Sequence, residues 1–120
     1  MAFDVAGVGA SCVDQVCRLP VFPEAGGPLA KVRMQEQMRT CGGQVATALA
    51  TCASLGLRAT YLGAVGDDED GRRIRGELAA RGISLEHVET SAAPTATATI
   101  LLDSTGDRIV LWHRDPALRY

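Results

Sequence analysis

Asp14 stands alone among small and apolar neighbours in Ala10–Leu19, ASCVDQVCRL, directly after a short apolar run that ends in Gly9. A carboxylate placed there caps a turn or accepts hydrogen bonds from a ligand, and the local residues alone put the turn cap first. The adjacent pair Gly42-Gly43 offers a different chemistry. With no Cβ in the way, backbone comes close to a ligand, and the first N–H groups of a helix starting just after it can donate to hydroxyl or anionic oxygens. The same pair also makes a plain strand-to-helix turn. It is not a phosphate loop, since no Gly-Lys-Ser/Thr follows, and not a dinucleotide fingerprint, since the G-x-G-x-x-G spacing is absent.

Other polar residues are weaker candidates. Asp67, Asp68, Glu69 and Asp70 could gather a cation, but acids ahead of a helical stretch suit its positive N-terminal end, and that is the reading adopted. His113 and Arg114 follow a strand end, where arginine either meets an anionic group or remains a solvated charge. Ser11 and Cys12 lie near Asp14, but His87 and His113 are far off in sequence, so spacing defends no nucleophile–histidine–acid set. The four cysteines, Cys12, Cys17, Cys41 and Cys52, form no C-x-x-C, and neither histidine lies at a metal-ligand spacing from one. Neither a zinc site nor a disulfide is expected.

The elements that must position these residues follow from composition and pattern. At 120 residues the chain is one domain or part of one. Only 4% of residues are aromatic, so a core of Ala, Val, Leu and Ile is expected, with helices packed closely on a sheet. A net charge of −2 does not favour nucleic acid. No apolar run reaches membrane-spanning length. The N-terminus has an acid and no Lys or Arg before its apolar part, unlike a signal peptide, so a cytoplasmic location is expected by default.

Phe3–Gly9 reads as a buried strand. Pro20–Pro28 is a loop, and Lys31–Thr40 reads as a strand with one wet face. A helix of roughly Gln44–Leu55 follows, uncharged on every side and therefore expected to be buried, with Gly56 as its stop. Thr60–Val65 is a strand, and Asp68–Gly82 an amphipathic surface helix with Ile74 and Leu78 inward. Ile83–Val88 reads as a short strand. Thr95–Leu102 and Arg108–Trp112 form a hairpin around a polar turn. Pro116 ends that last strand with no closing element after it, so a further unit is expected. Helices alternating with strands, with extra strands inserted, indicate an α/β fold carrying a small separate sheet.

Taken together, these segments resemble the PfkB family of carbohydrate kinases, which includes ribokinase. The likeness spans nearly the whole chain: Gly9–Asp14 (GASCVD), the Pro/Gly loop, Gly42–Gly56 (GGQVATALATCASLG), Tyr61–Gly71 (YLGAVGDDEDG), and the tract ELAARGI through TATATILLDSTGDRIVL. The resemblance implies a Rossmann-like ribokinase fold, N-terminal part, with a β-sheet lid made of Val16–Leu19, Lys31–Arg39, Thr95–Leu102 and Arg108–Trp112. It implies transfer of the γ-phosphoryl of ATP to a sugar hydroxyl, with Mg²⁺. It turns Asp14 from a cap into a sugar contact and makes Gly42 and Gly43 the glycines that approach the sugar.

Thr47 and Cys12 occupy positions where family members often carry Asn. Trp112-His113-Arg114 is similar to an aromatic-x-Arg of members acting on acidic sugars, which would place Arg114 on a carboxylate, phosphate or sulfonate. The family's Gly-Ala-Gly-Asp anion hole and catalytic base have no counterpart in these residues, nor does its ATP pocket. The chain is therefore expected to supply the sugar-binding half and to be inactive alone. A non-catalytic sugar-binding or lid-dimerising module is the alternative, and a small nucleotide-binding α/β protein the weakest reading.

Overall fold

The computed structural model describes residues 2–120. Along the chain lie β1 (Val5–Val8), β2 (Cys12–Arg18), β3 (Glu36–Gly42), α1 (Gln44–Ser54), β4 (Ala59–Gly66), α2 (Glu69–Ala80), β5 (Val88–Ser91), β6 (Thr97–Leu102) and β7 (Arg108–His113), with a short helical turn at Pro28–Ala30. These build two sheets. The first is parallel, in the order β1-β4-β5. The second has the order β3-β2-β6-β7, its central pair β2–β6 parallel and its outer pairs antiparallel.

One hydrophobic cluster joins α1 (Ala46, Leu49) and α2 (Ile74, Leu78) to Ala59, Tyr61 and Val65 of β4, and reaches Val13 of the second sheet. In β4 these core residues are alternate positions, as a strand with one face under helices requires. The second sheet, which the resemblance reads as a lid, meets the helices through β2 and β3. The Cα radius of gyration is 16.5 Å, against about 14 Å for a compact chain of this length.

Both helices end where the sequence indicates. Gly56 and Gly82 take positive φ directly after the final turns. The acidic run opens α2, with Asp68 as its N-cap accepting from Gly71 N–H at 2.8 Å.

Five expectations need correction. Phe3–Gly9 is a strand only over Val5–Val8, and it is not buried: Ala6 and Val8 are exposed because α1 covers one face of β1 and, among the described residues, no element covers the other. The uncharged outer face of α1 (Thr47, Ala48, Thr51, Ser54) is likewise exposed, since the helix turns Ala46 and Leu49, with Val45 and Ala53 beside them, to the core instead. The strand expected at Lys31–Thr40 begins at Glu36 and runs to Gly42. Its partner β2 stops at Arg18, ahead of Pro20, so residues before Gln35 have no strand opposite them. The strand expected at Val16–Leu19 runs instead from Cys12 to Arg18 and takes in Asp14. Finally, Ile83–Val88 contributes a single bridge, Ser84 with Thr60; the strand is Val88–Ser91.

Candidate functional site

The site begins with a buried phenol. Tyr61 is fully buried in β4, and its hydroxyl donates to Gly9 O at 2.6 Å and meets Ser11 Oγ at 3.1 Å. This pins the turn between β1 and β2. Two residues later the chain is in the lid, where Cys12 pairs with Gly42 and Asp14 with Thr40 on β3, and Asp14 with Ala98 on β6.

Side chains alternate along a strand, so Cys12, Asp14, Thr40 and the bare Cα of Gly42 share one face. Asp14 is therefore a mid-strand residue and not a turn cap. The space a side chain at Gly42 would take is filled by the Asp14 carboxylate: a methyl there would lie 2.9 Å from Asp14 Cγ and closer still to Oδ2. The Cys12 thiol donates to the other oxygen, Oδ1, at 3.1 Å. Burial, then the neighbouring Asp14, push that thiol up to about 12.

Gly42 closes β3 and Gly43 is the N-cap of α1. Gly43 has φ +94°, and a Cβ on it would sit 2.6 Å from Ala10 O and from Ser11 Cα. Only glycine fits where β3 turns into the helix across the β1–β2 turn. No side chain caps α1; Ala46 N–H donates to Ala10 O at 3.3 Å. Three predicted residues, Asp14, Gly42 and Gly43, are thus brought together at the junction of lid and helix.

Thr47 lies one turn into α1, exposed, in a groove of about 480 Å³ also lined by Arg39, Thr40, Thr51, Glu77 and Arg81. Arg114 follows β7, and its described contacts are with the chain's last residues. Its NH2 donates to Leu118 O at 2.6 Å and its guanidinium stacks 3.9 Å above the Tyr120 ring.

The acidic run is committed to structure. Asp68 accepts from Gly71 N–H, from Thr95 N–H at 2.9 Å and from Thr95 Oγ1 at 2.6 Å. Burial raises the Asp68 carboxyl, but the Thr95 hydroxyl and these N–H groups together hold it below its ordinary value. Asp70 accepts from Arg39 of the lid at 3.1 Å, and Asp67 lies 3.8 Å from Arg72. Asp68 is fully taken up by Gly71 and Thr95, and no group of three or more potential metal ligands occurs among the described residues. All four cysteines are free thiols. Among the described residues no helix is long and apolar enough to cross a membrane.

Sequence reading missed three contributors. The thiol bond had a signal: Cys12 and Asp14 are two apart, hence on one face once the segment is a strand. Thr95 and Tyr61 act across 27 and 50 or more positions, and no local pattern marks them.

Comparison with known proteins fits this geometry. The model for the pfkB family of carbohydrate kinases matches residues 7–120. The chain is 37% identical over 99 residues to the ATP-dependent ribose-1-phosphate kinase of Halopiger xanaduensis, covering 82% of this chain and 32% of that one. It is 33% identical over 107 residues to the nucleoside kinase of Methanothermobacter thermautotrophicus, covering 88% of this chain and 34% of that one. Arabidopsis thaliana ribokinase, solved with ribose and ATP, superposes with a TM-score of 0.80 at 24% identity, over 94% of this chain and 36% of that one. The chain spans about a third of the length of the relatives it matches. With the two-sheet architecture, the glycine pair and the family match over residues 7–120 in agreement, the chain belongs to the pfkB family of carbohydrate kinases, as the N-terminal part of a ribokinase-like fold.

Proposed function

We propose that this chain is the sugar-binding part of an ATP-dependent carbohydrate kinase, with Asp14 accepting hydrogen bonds from sugar hydroxyls over the bare backbone of Gly42 and Gly43. The observation that carries this reading is the carboxylate of Asp14 filling the side-chain space of Gly42 at the lid–helix junction. A polar group so placed serves a hydroxylated ligand, because a carboxylate accepts from two neighbouring hydroxyls at once. Thr47 extends the site along α1 through its hydroxyl. Arg114 is held by Leu118 O and Tyr120, so an anionic sugar group would have to displace Tyr120 to reach it; the primary recognition proposed is of hydroxyls. Phosphoryl transfer needs γ-phosphate, Mg²⁺ and base positioned together. In this reading those are supplied by the two-thirds of the family fold this chain does not span, and the chain alone turns over no ATP.

The test is thermal-shift and calorimetric titration with ribose, ribose 1-phosphate and a nucleoside, alongside Asp14→Ala. Binding of at least one probe that is lost in the variant is expected. Equal binding by the variant removes Asp14 from the site.

A second reading, a lid-mediated homodimer, is favoured by β7. This edge strand is exposed along its whole length, with Leu111 56% and Trp112 75% exposed, and an apolar unpaired edge is a template for another chain.

A further inference from the structure

We infer that Cys12 is a positioning residue for the proposed sugar site: its thiol holds Oδ1 of Asp14 and presents Oδ2 over Gly42, where a sugar hydroxyl would donate. This rests on the reading of Asp14 as a sugar contact. Three observations carry it. The thiol lies on the same strand face as the carboxylate and donates to it at 3.1 Å. The residue opposite Cys12 on β3 is Gly42, so no side chain from that position competes for the carboxylate. Of the two carboxylate oxygens, Oδ2 is nearer the missing Cβ of Gly42 and Oδ1 is the one held by sulfur.

An aspartate has two rotatable side-chain bonds, and on an open sheet face its carboxylate would sample several orientations. A hydrogen bond to one oxygen fixes the plane of the group and leaves the second oxygen aimed. A thiol is a weak donor with a single hydrogen, so that one bond is all it can donate. Burial and the adjacent carboxylate keep that hydrogen on sulfur throughout the neutral range. Cys41, next to Gly42 on β3, pairs with Val13 and lies on the opposite face, so it cannot substitute.

The experiment has two arms. In the first, the whole chain is alkylated with iodoacetamide at mildly alkaline pH and each cysteine is followed by peptide mass spectrometry, in the wild type and in Asp14→Asn. The variant keeps the shape and removes the charge, so Cys12 should react at least about threefold faster. Cys17, only 3% exposed, should stay slow and so reports that the fold is intact. An unchanged Cys12 rate overturns the proposal.

In the second arm, calorimetry with ribose and ribose 1-phosphate compares Cys12→Ser and Cys12→Ala. Serine donates to the same oxygen and should bind within about twofold of wild type, whereas alanine should bind about fivefold more weakly. Alanine binding as tightly as wild type overturns the proposal, and this arm decides if Asp14→Asn exposes Cys17. Loss of binding in Asp14→Ala with none in Cys12→Ala sinks the positioning role and leaves the sugar reading standing. No effect of Asp14→Ala on binding sinks the sugar reading, and with it the role of Cys12 there. In that case the alkylation arm still shows whether the thiol and carboxylate are coupled.

Discussion

Gly42→Ala gives the sharpest test of how the site is built, because its effect depends on one other side chain. The new methyl would sit 2.9 Å from Asp14 Cγ and nearer to Oδ2, so the carboxylate has to swing away. Leaving its rotamer costs about 0.5–1.5 kcal/mol, and breaking the Cys12 bond adds about 0.5–1.5 kcal/mol. Against this, replacing glycine by alanine where φ is not positive gains about 0.4–1 kcal/mol by restricting the unfolded chain, and Gly42 is not among the positive-φ glycines. In the wild-type background the sum is a loss of about 1 kcal/mol, easy to overlook. In an Asp14→Ala background the clash is gone and the same substitution should stabilise by about 0.4–1 kcal/mol. The sign reverses. Urea denaturation of the wild type, both single variants and the double variant gives a coupling of about 1–2 kcal/mol. Additivity to within about 0.4 kcal/mol would show that Asp14 does not occupy the Gly42 space, and the site as described would be wrong.

Asp68→Ala removes an N-cap and the acceptor for both groups of Thr95, and should cost about 2–4 kcal/mol, read as a fall in Tm of about 10 °C. Because its carboxyl is held below the ordinary value, its stabilisation is present above that value and is lost as pH falls through the lower folded one; the variant's acid unfolding should be correspondingly flatter. Asp4, joined to Arg58 through its side chain and backbone N–H, is held down to about 2 from 3.8. That contribution is complete above pH 3.8 and fades toward pH 2, so Arg58→Ala should differ from wild type at neutral pH and converge with it by the acid end of a Tm-versus-pH series. For the β7 edge, Leu111→Lys with Trp112→Lys should shift light-scattering mass from oligomer or aggregate toward monomer; a wild type already monomeric at high concentration counts against lid dimerisation.

Much of the fold was legible where punctuation is local. Gly-Gly before α1, Leu-Gly after it, the acidic run before α2 and Gly82 behind it set the helix ends within a residue or two. The lid hairpin β6–β7 followed from alternation around a polar turn whose Asp103 accepts from Thr105 and Asp107. What failed was whatever depends on a distant partner. Asp14 looks like a cap until β3 and β6 arrive on either side of β2. The strand before Gly42 is bounded by where β2 stops, a fact absent from its own residues. Burial was misjudged for β1 and for the outer face of α1 because apolar composition states what a segment tolerates, whereas exposure depends on whether another layer is there to cover it. Of the candidate site, residue type and resemblance single out the glycines and Asp14; the Cys12 thiol bonded to Asp14 and the Tyr61 and Thr95 hydroxyls around it needed coordinates.

The parallel seam of the lid has a consequence for the order of events as the protein folds. Val13 through Arg18 pair with Thr97 through Leu102, and the chain between them contains β3, both helices, β4 and β5. That seam closes only after the intervening segment has condensed, since loop-closure entropy is repaid only by contacts already gathered. The β2–β3 pairing and the β1–β4 core can form without it. In a hydrogen-exchange pulse during refolding, the amides that bond across the β2–β6 seam should therefore gain protection last, after those of the local β6–β7 hairpin. Asp14 would then acquire its neighbour Ala98 only at the end, and partial opening of the molecule should release this seam before the helices loosen.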